Sequence, residues 1–171
     1  MEVVHTITEE GLRFRLELRI SQNSPSEIEQ LALAIKERRI MPELEVFEPG
    51  MLTRAHPLRK NGLLPEKFVV NILLGNNGTS AASAQALTPF LSQLPQDSEW
   101  AVAGIGRFQR KTMMLGIALG GNIRVCMEDD PVGDGSERWS NEKAVELAVS
   151  MAALAGRPLA STEEARTRLL G

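Results

Sequence analysis

Short apolar strands and helices alternate along most of this chain, and that rhythm constrains the fold more than any other feature. Strands near Glu43 to Phe47, Phe68 to Leu74, Trp100 to Ala103 and Ile123 to Met127 start roughly 24 to 32 residues apart, with one helical segment between each pair. Such spacing is too long for hairpins and suits parallel βαβ units. Four right-handed units make half of a (βα)8 barrel or a small open sheet; a complete barrel takes about 250 residues, and this chain has 171.

Local signals place the helices. Ser24-Pro25-Ser26-Glu27 is a capping box with proline at the first helical position, and Ile28, Leu31, Ala32, Ala34 and Ile35 form the stripe of a helix running to about Arg38. Pro49-Gly50 breaks the chain before a second helix from about Met51 to Asn61, stopped by Gly62. A third spans about Ser83 to Leu94, with Pro89 as a kink. Gly104-Ile105-Gly106-Arg107 opens a fourth, to about Leu119, which Gly120-Gly121 ends. After a loop from Asp129 to Trp139, Ser140 caps a helix with an apolar stripe of Ala144, Leu147, Ala148 and Met151, closed by Gly156, and Ser161 caps a short last one.

Residues 1–22 stand apart from residues 23–171. Leu12, Phe14, Leu16, Leu18 and Ile20 alternate with Arg13, Arg15, Glu17 and Arg19, the pattern of a strand with one wet face. An inner barrel strand covered by helices is apolar on both sides, so this strand suits an edge.

Composition excludes several classes. The chain is 43% hydrophobic and 24% charged, as globular domains are. A net charge of -3 with scattered basic residues argues against a nucleic-acid partner. No apolar run approaches the length of a membrane span, the first residues have no signal-peptide pattern, and a single cysteine, Cys126, suits a reducing compartment. A cytoplasmic location is expected. Cys126 lies in an apolar run and reads as packing rather than as a nucleophile.

Chemistry concentrates where the fourth strand runs into Glu128-Asp129-Asp130. Period-two alternation puts Arg124, Cys126 and Glu128 on one wall and Val125, Met127 and Asp129 on the other. Buried charges on a strand need a partner or a metal, so this stretch is either a reactive corner or a structural Arg/Glu pair. Gly104 and Gly106 at a strand-to-helix turn, with Arg107, Arg110 and Lys111 following, offer a phosphate site or a plain tight turn. Gly75 to Ser80 reads as a mobile loop at the mouth of the sheet. Glu43, Glu45 and Glu48 are candidates for recognising a substrate amine, or solvated strand carboxylates. His56, in Arg54-Ala55-His56-Pro57, and His5, in the atypical segment, are poorly placed for metal binding.

Three segments in order, Pro42-Glu43-Leu44-Glu45-Val46-Phe47-Glu48-Pro49-Gly50-Met51-Leu52, Trp100-Ala101-Val102-Ala103-Gly104-Ile105-Gly106-Arg107 and Ile123-Arg124-Val125-Cys126-Met127-Glu128-Asp129, resemble the β-keto acid cleavage enzymes over about residues 24 to 171. The resemblance implies an oligomeric, zinc-dependent TIM barrel. It would condense a β-keto acid with acetyl-CoA and release acetoacetate and a new acyl-CoA. It further implies Glu128 as a Zn2+ ligand and Asp129 with Arg124 as a dyad that deprotonates the substrate. Beside these, Gly104, Gly106 and Arg107 remain candidates for contact with coenzyme A phosphate, against a plain tight turn, and Glu45 for a substrate amine, against a solvated or paired carboxylate. Carboxylate oxygen is an acceptable zinc ligand, and zinc would act as a Lewis acid on the keto oxygen. The family's His-x-His zinc pair on an early strand has no counterpart here. The chain therefore resembles the last four βα units of the enzyme, forming a homo-oligomer or pairing with a missing N-terminal half. The competing expectations are a catalytically inactive half-barrel or interaction subunit, and a small α/β protein whose acidic loop holds a divalent cation.

Overall fold

Ser24 starts the first helix by the reciprocal bonds its sequence promises: the Glu27 backbone N–H donates to Ser24 Oγ (3.3 Å), and the Ser24 N–H to Glu27 Oε2 (2.7 Å). Helix α1 covers Pro25–Glu37. This is a computed structural model, and it describes residues 2–8, 11–17, 23–95, 98–133 and 140–170. Strand β3 (Glu43–Val46) leads into a 3₁₀ segment (Pro49–Arg54) and the short helix α2 (Ala55–Lys60). The single helix expected from Met51 to Asn61 is thus split. Pro57 has no N–H to close an α-helical bond to Thr53, so the α ladder begins only where Pro57 falls in its first turn.

Strand β4 (Val69–Leu74) and helix α3 (Ala84–Gln93, capped by Ser83) come next. Strand β5 (Glu99–Gly104) is followed by one 3₁₀ turn (Gly106–Phe108) and helix α4 (Gln109–Ala118). Strand β6 is only Asn122–Ile123, before helices α5 (Asn141–Leu154) and α6 (Thr162–Leu170). The four strands form one sheet in the order β3-β4-β5-β6, and every pair is parallel, as the spacing required.

The N-terminal segment differs from the lone edge strand expected over Leu12 to Ile20. Strands β1 (Glu2–Thr8) and β2 (Gly11–Glu17) pair antiparallel in a separate sheet, with Thr8 opposite Gly11; residues 18–22 lie outside the described ones. The alternation in β2 suits a two-stranded ribbon, whereas β1 lacks that alternation and gave no signal.

Register sorts the main sheet into two faces. Val46, Ile72, Val102 and Ile123 are aligned across it, and with Leu44, Val70, Leu74 and Trp100 they join the buried core with Leu52, Leu58, Leu87 and Phe90. The opposite face carries Glu45, Asn71, Ala101 and Asn122 in one row, with Leu73 and Ala103 one step further along. That second face is concave. The outer strands are separated by three spacings of about 4.8 Å each, and side chains standing upright on a flat sheet would not meet across them. Yet Arg124, just past β6, bonds Glu45 on β3 at 2.6 Å. Four parallel strands curled this far are consistent with part of an α/β barrel.

Candidate functional site

The fourth strand ends earlier than its apolar run suggests. Arg124 makes the last ladder bond, its N–H donating to the Val102 carbonyl at 3.1 Å, and the chain then leaves the sheet. Cys126 organises the turn after it. The Asp129 N–H donates to its Sγ (3.3 Å) and the Asp130 N–H to its carbonyl (3.3 Å), closing a turn through Met127 to Asp129. Asn141, at the start of α5, accepts from the Met127 N–H at 2.8 Å and ties that turn to the helix. Local turn bonds replace strand pairing, and period-two alternation stops with them.

The expectation that Arg124 and Glu128 share a wall is therefore corrected. Glu128 is exposed, whereas Asp129 is buried and folds back to Arg124, with Nε–Oδ2 and Nη2–Oδ1 both 3.5 Å. Burial weighs against the Arg124 charge, but Asp129 and Glu45 outweigh it and hold its pKa above the ordinary arginine value. Asp129 Oδ2 accepts no hydrogen bond. Burial pushes the Cys126 thiol up, with the Asp129 carboxylate acting in the same direction and the Asp129 N–H bond to the sulfur opposing it; the thiolate is disfavoured, in agreement with packing. Asp130 is also buried, and its Oδ1 accepts from the Gly133 N–H at 3.1 Å.

Below the Arg124–Glu45 bridge, Asn71 occupies the same row as Glu45. It is 0% exposed, and neither its Oδ1 nor its Nδ2 has a partner. Its signal in the sequence was its place as the lone polar residue of an apolar strand.

The glycines after β5 make close local contacts. The Gly106 N–H donates to the Asp129 carbonyl at 2.6 Å, so that amide is already engaged. A side chain at Gly104 would meet the Phe108 carbonyl oxygen at 2.6 Å and also Thr112, so this glycine permits close approach of α4. Helix α4 begins at Gln109 rather than at the glycines. Arg107 is exposed, with its guanidinium 5.0 Å from the Phe108 ring. The loop from Gly75 to Ser80 is closed by Gly75 N–H to Ser80 carbonyl (2.9 Å), and Ser80 Oγ donates to Glu48 (2.9 Å). Gln109 is a residue the sequence did not flag: it is buried, and its Nε2 donates to the Cys126 carbonyl at 2.8 Å.

Glu43 and His56 are exposed. Among the described residues no group of three or more His, Cys, Asp or Glu side chains stands close enough to hold a metal ion. Catalytic zinc takes three protein ligands. The described donors do not fit such a site by themselves, and the acidic loop of the third expectation lies partly outside the described residues.

The sequence profile of the beta-keto acid cleavage enzyme family matches residues 4–170, reaching into the N-terminal segment. The chain belongs to that family. The 3-keto-5-aminohexanoate cleavage enzyme of Fusobacterium nucleatum is 35% identical over 145 residues, 84% of this chain and 53% of that protein. Two further relatives have other names. The 3-dehydrocarnitine:acetyl-CoA trimethylamine transferase of Rhizobium meliloti is 25% identical over 158 residues, 92% of this chain and 53% of its own. The 3-oxoadipate:acetyl-CoA acetyltransferase of Cupriavidus necator is 28% identical over 155 residues, 88% and 55% respectively. The chain spans about half the length of these relatives. No helix among the described residues is long and apolar enough to cross a membrane.

Proposed function

We propose that this chain carries the Arg124–Asp129 corner of an acetyl-CoA-dependent β-keto acid cleavage site, on strands five to eight of a TIM barrel in the cytoplasm. The observation that carries the reading is Arg124, held between Asp129 and Glu45 over the concave face. In the reaction, the bond between the keto carbon and C2 of the β-keto acid breaks. C2 joins the acetyl carbon to give acetoacetate, and the remaining acyl group passes to the coenzyme A sulfur. A base must first take a C2 proton. Asp129 Oδ2, buried and accepting no hydrogen bond, is suited to that task, and Arg124 stays cationic beside the negative charge that develops. Glu45 would flank the substrate, where a carboxylate suits an acid bearing an ammonium group. Arg107 is the cation assigned to coenzyme A phosphates, with Gly104 and Gly106 shaping the turn beside it.

Zinc would polarise the keto oxygen, and Glu128 is the residue here that would contribute to holding it. The described donors do not complete a zinc site by themselves, so another copy or a further set of βα units would supply the remaining ligands.

Mixing the full chain with zinc, a panel of β-keto acids and acetyl-CoA labelled in its acetyl group tests this. Labelled acetoacetate, lost in Arg124→Lys, is expected. A second reading, a half-barrel that serves only as an interaction subunit, is favoured by the open edges of β3 and β6 and by the lack of a three-ligand group among the described residues. Absence of labelled acetoacetate with every acid, with or without bound zinc, would select that second reading.

A further inference from the structure

The segment between β5 and α4 grips the site loop twice, and neither grip is written in the local sequence pattern. The Gly106 N–H holds the Asp129 carbonyl at 2.6 Å, and Gln109 Nε2 holds the Cys126 carbonyl at 2.8 Å. Cys126 is the residue from which the turn is built, because its Sγ and carbonyl accept the N–H groups of Asp129 and Asp130. Fixing that one carbonyl sets where Asp129 lies relative to Arg124.

We propose that Gln109 is the positioning residue of the Arg124–Asp129 pair, an inference that rests on those two groups being the reacting corner. Three observations support the role. Gln109 is the first residue of α4 and is 1% exposed, so its side chain is fixed by packing. A carbonyl can only accept, so the end of the amide facing Cys126 must be the NH2 group. The other end, Oε1, is buried without a partner. Methionine or leucine would fill the same space without that penalty, so an amide here is explained by the bond it makes to the site loop rather than by packing.

The test uses the full chain and reads Arg124 rather than turnover. In the wild-type protein, a scalar coupling across the hydrogen bond from the Gln109 side-chain nitrogen to the Cys126 carbonyl carbon is expected by NMR. Its absence from a spectrum that resolves the Gln109 amide overturns the proposal without any variant. Gln109→Met removes the donor at nearly constant size, and Gln109→Glu turns an acceptor toward the carbonyl. The Arg124 Nη2–H signal, identified by its loss in Arg124→Lys, should exchange about tenfold faster in Gln109→Met and faster still in Gln109→Glu, because it is this nitrogen that donates to Asp129 Oδ1. A folded Gln109→Met with wild-type Arg124 exchange would show that Gln109 only fills space, and would refute the role. If the chain forms no acetoacetate but Gln109→Met still frees Arg124, the functional reading fails and the positioning contact stands.

Discussion

Replacing Asn71 by leucine should stabilise the isolated chain, against the usual outcome for a substitution in a sheet core. Asn71 is fully buried on the concave face, and both of its polar side-chain atoms lack partners. In water the amide makes hydrogen bonds on both ends, so folding forfeits them with nothing in return. Mutational data place the cost of one unsatisfied buried group at about 1–3 kcal/mol. Leucine repeats the branching of asparagine at the same atom and needs no partner. The gain is opposed by the larger methyl groups, since overfilling a core costs about 1–3 kcal/mol. Asn71→Val, smaller and favourable in a strand, separates the two effects. Urea titration with calorimetry measures both variants, and each kcal/mol gained raises the melting temperature by about 2–4 °C in a chain of this size. A rise in either variant is expected; a fall in both by more than about 1 kcal/mol would mean that Asn71 has a partner in solution, and would refute the reasoning.

Arg124→Met should destabilise by about 3–5 kcal/mol, because it strands Asp129, whose side chain is 7% exposed. Glu45→Gln, although it removes the shorter contact at 2.6 Å, should cost less than about 1 kcal/mol, since Glu45 is 52% exposed; chemical denaturation that reversed this order would count against it. Arg157 donates to the carbonyls of Ile117 (3.1 Å) and Gly121 (2.7 Å) and so caps the end of α4; Arg157→Ala should lose about 1.5–3 kcal/mol, and an unchanged melting curve would disprove the cap. Cys126, raised chiefly by burial, stays a thiol above the pH at which an exposed cysteine ionises, so its alkylation by iodoacetamide at about pH 8.5 should be slower than in the urea-unfolded chain; equal rates would contradict it. Gly104→Ala should unsettle the start of α4 and speed exchange of the Arg124 Nη2–H, whereas Gly50→Ala, with nothing within 4 Å of the added carbon, is the neutral control.

The legible parts of this fold were those decided by neighbours in sequence. Ser24 and Glu27 lie three apart and cap each other wherever the helix goes, and the run to Leu74, apolar at nearly every position, suits a covered parallel strand. Arg124 and Asp129 could be named but not arranged. The apolar residues from Ile123 to Met127 suit a strand, yet the turn bonds to Cys126 capture the backbone after Ile123 and reverse which carboxylate is buried. The Arg124–Glu45 contact spans 79 positions and crosses from the end of β6 to β3, which no local pattern encodes. Gln109 was invisible for a related reason: a polar residue opening a helix usually faces water, and its burial depends on a glycine five positions earlier.

That dependence joins packing to chemistry. Gly104 ends β5 without a side chain, which lets Phe108 and Thr112 close on the strand. Thr112 Oγ1 then donates to the Gln109 carbonyl at 2.9 Å and stiffens the first turn of α4. Gln109 reaches the Cys126 carbonyl, and Cys126 in turn sets Asp129 within 3.5 Å of Arg124. The ion pair itself is long and would contribute little if both groups were solvated. Its geometry matters because the surrounding contacts, and not the attraction between the two charges, hold it in place. A site built this way keeps Asp129 Oδ2 without a hydrogen bond while a cation stands 3.5 Å from it, an arrangement that mutual attraction alone would collapse into a tight bidentate pair. The glycine-rich turn is therefore as much a part of the chemistry as the charged residues it supports.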